Sequence, residues 1–462
     1  MPMREGRLAA SFRDPAGFLF VRGGRLYRQV DRGGEPDFRL LGASGLLDAL
    51  VGKRLLIPHR EVSLALAADT GAVAVIEPEP VPFISYPYEW SFTQLKDAAL
   101  ATLRIQAMAL GKGMVLKDAS AYNVQFRQGW PVLIDTLSFT AYREGEPWGA
   151  YRQFCQHFLA PLALMARRDV RLGGLLREHL DGVPLDLAAK LLPWRSRLEP
   201  SLLMHIHAHA ASQRRHAGRP GVAPKVRVSR RALEGLVDSL RREIEGLRWS
   251  PGGTAWADYY NDTNYSGAAL ESKKAIVGEF LAATGDGVVW DLGANNGLFS
   301  RLAADRGRLV VAVDADPAAV ERNWLECRQG GQPLLLPLLT DLANPGPAQG
   351  WAHAERMSLL DRGPAATVMA LALVHHLAIG NNVPFAEMAR FLAAAGEYLI
   401  IEFVPKSDSQ VRRLLATRTD VFPDYGLDGF RAGFGAAFEI LKQAPVDGSE
   451  RTLFLMRRKC PR

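Results

Sequence analysis

The stretch VVWDLGANNGLFSRLAA, residues 288–304, sets an apolar run and an aspartate ahead of a glycine turn and a helical pattern. It reads as a buried strand, a tight turn and the start of a helix, the place where α/β sheets hold nucleotides. A dinucleotide would ask for G-x-G-x-x-G, so that the backbone can approach a pyrophosphate. Here Gly293 is followed by Asn295 and then Leu298, and the second and third glycines are missing. What stands instead is acid-led: Asp291-x-Gly293-x-Asn295-x-Gly297. Asparagine tolerates left-handed backbone angles better than most residues, so the turn survives the exchange.

Working outward, strand patterns at 288–292, 309–314, 334–339, 366–373 and 398–404 alternate with helical ones, which predicts a parallel sheet flanked by helices. Two closing strands, 438–443 and 451–457, are joined by a short Gly-containing stretch and are expected to pair antiparallel. Asp314 ends the second strand and Asp341 the third, so three acids line the carboxyl edge where ligands bind. An acid ahead of the glycines suits a ligand with an amino group or a cationic centre. S-adenosylmethionine (SAM) carries both and has no phosphate. Asp314 then suits the ribose hydroxyls as a charge-assisted acceptor, and Asp341 the adenine amino group. Asp316, before Pro317, reads as a helix cap.

On these residues, together with ALALVHHLAI (370–379) and YLIIEFVP (398–405), the half from about 250 to 457 resembles class I SAM-dependent methyltransferases. The resemblance implies an α/β, Rossmann-like sheet with an antiparallel last strand. It implies SAM held by Asp291, Gly293, Asn295, Gly297, Asp314 and Asp341. The segment 256–277 would fold over the methionine end, with Tyr260, Tyr265 and Lys273 as contacts. His375, His376 and Glu402, at the ends of the fourth and fifth strands, become the catalytic, substrate-side candidates. Histidine titrates near neutral pH and can serve as a general base.

The first half is different. AGFLFVRGGRLYRQV (16–30) predicts a hairpin turning at Gly23–Gly24, and residues 93–113 a helix with a glycine-rich end. Asp118 and Asn123 then stand five apart, and Asp135 follows at the end of an apolar strand. This spacing resembles the catalytic loop and metal-binding aspartate of protein-kinase-like and aminoglycoside-phosphotransferase-like enzymes. The resemblance implies an α+β kinase-like domain with ATP and magnesium at Asp118, Asn123 and Asp135. The stretch VPFISYPYEWSF (81–92) resembles the strand and hinge that contact adenine. The pattern also departs from that family: no phosphate-covering glycine loop is present, and Thr136-Leu137 follows Asp135 where Phe-Gly is usual. Arg28 stands roughly where the phosphate-binding lysine belongs, and an arginine is not its equivalent.

The chain has 462 residues and 48% hydrophobic content, too long for one ordinary core. The expected division is a kinase-like accessory domain (1–212), a basic linker with a connecting helix (213–249) and a methyltransferase domain (250–462). In the connecting helix Leu233, Leu236, Leu240 and Ile244 share one face. Three scattered cysteines make a disulfide framework or zinc knuckle unexpected. Period-two spacing spreads His205, His207 and His209 on a helix, so no metal is expected there either. No run reaches the about 18 apolar residues of a membrane span, and the opening MPMREGRLAASFRDP lacks an apolar signal core. A cytoplasmic protein is expected. The net charge of +7 follows from abundant arginine and does not by itself demand nucleic acid as partner.

The combined layout resembles the nodulation-protein type of fused methyltransferase, and a small-molecule or saccharide acceptor is expected. A bifunctional kinase–methyltransferase, a SAM-binding protein without catalysis and an RNA methyltransferase using the linker as an electrostatic grip are the alternatives. The acceptor atom and the oligomeric state are not set by these residues.

Overall fold

The computed structural model describes residues 5–209, 227–252, 267–416 and 419–460. Two compact units divide the chain: residues 2–250 with 348–356, and residues 251–347 with 357–462.

In the N-terminal unit, glycine chemistry shapes the first hairpin. Gly23 and Gly24 both take left-handed angles (φ 59° and 72°), as a two-residue hairpin turn with the sheet's own twist requires. They join β2 (Gly17–Arg22) to β3 (Arg25–Asp31), and β1 (Gly6–Arg7), β4 (His59–Val62) and β5 (Ala72–Pro78) complete an antiparallel sheet ordered β1-β2-β3-β5-β4. The stretch 81–92 forms no strand. Pro82 and Pro87 cannot donate to a ladder, and Glu89 instead accepts from the Tyr86 amide at 2.9 Å. Ser91 and Gln94 cap the helix Phe92–Gly111 reciprocally, and Gly113, at φ 75°, turns the chain after it. Two short ribbons follow, β6 (Met114–Leu116) with β9 (Phe139–Ala141) and β7 (Val124–Arg127) with β8 (Trp130–Leu133), before a mainly helical run from Tyr151 to His209.

The helix Arg230–Gly246 belongs to this same unit. It buries Leu233, Val237, Leu240 and Ile244 against the helix Phe92–Gly111. Lys96 from that partner donates to the carbonyls of Glu245 and Leu247 at 3.0 and 2.9 Å, satisfying acceptors that a helix end leaves open.

In the C-terminal unit, runs of Val, Leu and Ala form β10 (Val289–Leu292), β11 (Val310–Asp314), β12 (Leu335–Leu339), β13 (Ala365–Ala370) and β14 (Gly396–Phe403). All five are parallel, and they are apolar on both faces because helices cover both. Next come β15 (Phe438–Pro445) and β16 (Thr452–Arg458), where β16 pairs antiparallel with β14 and β15 with β16. The order is β12-β11-β10-β13-β14-β16-β15, a Rossmann-like sheet with antiparallel terminal strands. The order reverses direction at β10, so the β10 and β13 ends open the crevice where ligands bind in such sheets. β13 stops at Ala370, short of the sequence pattern's end, because Ala372 takes a left-handed φ of 51° and turns the chain off the sheet. Among the described residues no helix is long and apolar enough to cross a membrane.

Candidate functional site

The acid-led turn closes on itself through the second strand's acid. Gly293, Asn295 and Gly297 all have positive φ (78°, 49° and 80°), so three of five consecutive residues curl left-handed between β10 and the helix Leu298–Ala304. Gly297 is required on a second count, since a Cβ there would lie 2.5 Å from the Asn323 side chain. Asp314, at the tip of β11, accepts the Asn295 amide on Oδ2 and the Asp316 amide on Oδ1, each at 2.8 Å. The Ala315 amide adds a third backbone contact to the same carboxylate. Burial pushes the Asp314 carboxyl up to about 6, against the lowering effect of those amides. Asp316 caps the helix Pro317–Gly330 by accepting the Ala318 and Ala319 amides. Asp341 stands exposed just past β12 and accepts the Ala343 amide at 2.9 Å.

Asp291 lies deeper. It is 2% exposed and accepts a 2.6 Å hydrogen bond from Ser300, one turn into the helix that follows. Burial raises its carboxyl to about 7, and the neighbouring Asp314 adds to the rise. A carboxyl raised in this way stabilises the fold while protonated. That contribution is complete below the ordinary range near about pH 4 and is lost as pH rises through about 7. Asp291→Asn, which keeps an acceptor for Ser300 without the charge, should therefore gain stability relative to the native chain between about pH 5 and about pH 8. Urea midpoints of both proteins at the two pH values measure it. An unchanged difference would mean that the carboxyl is not desolvated.

Of the remaining candidates, Lys273 and Glu402 belong to a buried ionic network. Lys273, on the helix Gly267–Ala283, donates to Glu402 Oε2 at 2.7 Å, and Arg451 Nη1 lies 3.9 Å from Glu402 Oε1. Arg451 in turn holds Asp408, the cap of the helix Ser409–Leu415, with Nε 2.8 Å from Oδ2. Glu402 is wholly enclosed, and Lys273, whose ammonium also lies 4.7 Å over the Phe299 ring, is 2% exposed. Burial lowers the Lys273 pKa. His375 is also fully enclosed, and neither ring nitrogen has a hydrogen-bond partner among the described residues. His376 is half-buried, with its ring 4.0 Å from that of His375. Burial holds His375 well below its ordinary pKa and His376 down to about 4, so both are neutral near pH 7. Tyr260 and Tyr265 lie outside the described residues.

Sequence reading alone missed Arg451, Ser300 and Asn323, while the stretch FVPKSDSQV (403–411) offers Ser407 or Asp408 as a helix cap and the structure uses Asp408. Ser300 carries a findable signal, because a strand–turn–helix brings the helix's first turn back over the strand end. Arg451 carries none.

In the N-terminal unit, Asp118 accepts from Gln153 at 2.8 Å and from the Ser120 amide at 2.9 Å. Burial raises its carboxyl, and Asp135 reinforces the rise. Asp135 accepts from Ser138 Oγ at 2.8 Å and from the Leu137 amide at 3.0 Å, and Arg28 Nη2 lies 3.0 Å from its Oδ1. The same Nη2 reaches Asp14. Asn123 turns to Ser138 at 3.4 Å. The helical histidines are used internally: His205 bonds Tyr151 and Ser239, and His207 bonds Ser196.

Residues 348–356, although they fall between β12 and β13 in sequence, are part of this N-terminal unit. Glu355 pairs with Arg13 at 2.7 Å, and the Arg356 guanidinium lies 4.3 Å over the Tyr122 ring.

No family model matches the chain. Among solved structures, magnesium protoporphyrin IX methyltransferase (ChlM) from Synechocystis PCC 6803 is similar over 44% of this chain and 93% of its own, at 18% identity and a TM-score of 0.31. The N-methyltransferase NodS from Bradyrhizobium japonicum WM9 covers 42% of this chain and 99% of its own, at 12% identity and a TM-score of 0.32. The bifunctional kinase-methyltransferase WbdD covers 45% of this chain and 43% of its own, at 14% identity and a TM-score of 0.31. Nodulation protein NoeA of Rhizobium meliloti (strain 1021) is similar over both units: 36% identity over 463 residues, covering 98% of this chain and 97% of the relative. Identity at that level runs through nearly the whole length of both chains, so the chain belongs to the family of nodulation protein NoeA.

Proposed function

We propose that this protein is a SAM-dependent methyltransferase whose N-terminal unit binds the acceptor, a small molecule or saccharide. The observation that carries the reading is Asp314. Its carboxylate gathers backbone amides around a left-handed turn at the sheet's switch point, at the strand end where a charged acceptor suits ribose hydroxyls. The donor set fits SAM: carboxylates and a glycine cradle, with the Arg301 guanidinium at the turn already bonded to the Asn296 carbonyl and paired with Glu326. When bound, SAM supplies a methyl group on a positively charged sulfur.

The chain's own residues then bind and orient. Asp314 takes the ribose, and the exposed Asp341 offers an acceptor on the adenine side. Asn295 presents an amide side chain at the turn's apex. His376, half-buried and neutral near pH 7, accepts a hydrogen bond from the acceptor's hydroxyl or amine and holds it in line, with the enclosed His375 ring packed behind it, and alignment of that kind supplies much of the rate. Glu402, enclosed by Lys273 and Arg451, acts as a positioning residue that holds the fifth strand's end. In the N-terminal unit, Asp14, Asp118 and Asp135 favour hydroxyl donors and repel a nucleic-acid backbone.

Labelled SAM incubated with the full chain and an extract of its source cells tests the reading. Transfer of label to a small polar product is the expected result. SAM binding without any labelled product would leave a SAM-sensing protein instead.

A further inference from the structure

The kinase-like pattern of Asp118, Asn123 and Asp135 implies a magnesium ion held by Asn123 and Asp135. The donor set does not fit one. Magnesium demands near-octahedral oxygen ligands at about 2.0–2.1 Å and is usually bound through one or two carboxylates plus substrate phosphates. Among the described residues no three His, Cys, Asp or Glu side chains converge on a common cation position. Asp135 already accepts Ser138 and Leu137, and Arg28 stands on its Oδ1 at 3.0 Å. Asn123, the second expected ligand, is held through its amide by Ser138 and Asp118.

We infer that Arg28 is a built-in replacement for the divalent cation, so that the N-terminal unit binds its ligand without metal and does not take a magnesium nucleotide. Arg28 is buried, and its Nη2 bridges Asp135 and Asp14. A guanidinium stays charged at every accessible pH, so this counter-charge is permanent where a metal would exchange. A divalent ion entering at Asp135 would meet a cation at contact distance in a poorly solvated place. A nucleotide without metal fares no better. Two carboxylates, Asp14 and Asp135, pair with one guanidinium, Asp118 lies close enough to Asp135 to feel its charge, and the net negative field repels a triphosphate. Such a site suits an uncharged polyhydroxy ligand. The inference rests on the kinase-like reading of the N-terminal unit and is independent of SAM.

Manganese, a paramagnetic stand-in for magnesium, tests it by electron paramagnetic titration of the full chain. The native chain should bind no manganese that Asp135→Asn removes. Arg28→Gln frees two carboxylates and should acquire a site at least about tenfold tighter, lost again when Asp135→Asn is added. Native manganese binding that Asp135→Asn abolishes would overturn the inference, as would a folded Arg28→Gln that binds none. If Arg28→Gln does not fold, the thermal shift of the native chain with ATP decides. A shift that requires magnesium overturns the inference, the same shift in EDTA overturns its exclusion of a nucleotide, and no shift supports it. SAM titrated into the same samples reports separately on the C-terminal site.

Discussion

Asp314→Ala is expected to weaken SAM binding by at least about a hundredfold in calorimetric titration. The side chain would give two charge-assisted hydrogen bonds to the ribose, each contributing about 1.5–3 kcal/mol. At about 1.4 kcal/mol per decade, their joint loss corresponds to roughly 10²–10⁴-fold in Kd. The substitution also removes the acceptor of the Asn295 and Asp316 amides, so the turn itself loosens. Asp314→Asn separates the two effects: it keeps one acceptor oxygen for the turn and loses the charge, and should fall between the native protein and the alanine variant. Asp341→Ala, at an exposed position, should cost less than about tenfold. Undiminished SAM binding by a folded Asp314→Ala would sink the cofactor assignment.

The largest stability effect should come from Glu402→Leu. The Lys273 side chain, 3% exposed, would keep its ammonium buried beside Arg451 without its nearest carboxylate. Removing one partner of a buried pair costs about 3–5 kcal/mol, because the other charge is left uncompensated. In a unit of about 200 residues that corresponds to a fall in Tm of roughly 6–20 °C. Adding Lys273→Met should recover most of the loss, since a buried ion pair replaced by apolar groups of similar size is often neutral. Differential scanning calorimetry of the single and double variants measures both. A Glu402→Leu variant within about 2 °C of the native Tm would show the pair to be solvated. The experiment also bears on function, because Glu402 closes the strand beside the candidate methyl-transfer site.

Much of this architecture was legible before any coordinates. The runs at 288–292, 309–314 and 334–339 are continuous and apolar, as strands buried on both faces must be, and each is observed within a residue of its expected limits. Gly23–Gly24 announced a hairpin because few other residues accept φ > 0 twice in succession. The connecting helix was also readable, but its allegiance was not. Leu233, Leu240 and Ile244 show that a face must be buried, and only the observed packing shows that Phe92–Gly111 covers it. The hinge-like stretch 81–92 misled because its aromatic residues suit a strand while its prolines forbid one.

The candidate site divides along the same line. By itself the sequence determined the element order, the acid-led turn and the placement of Asp291, Asp314 and Asp341 at the ends of successive strands, because these follow from local periodicity and backbone preference. Only the tertiary structure decided which acids remain available. It encloses Asp291 with Ser300, locks Glu402 to Lys273 and Arg451, and sets Arg28 on Asp135. The physical reason is that a carboxylate's charge state and partners depend on burial and on groups brought close by folding, and these come from residues far apart in the chain. No spacing within a strand or a turn records them.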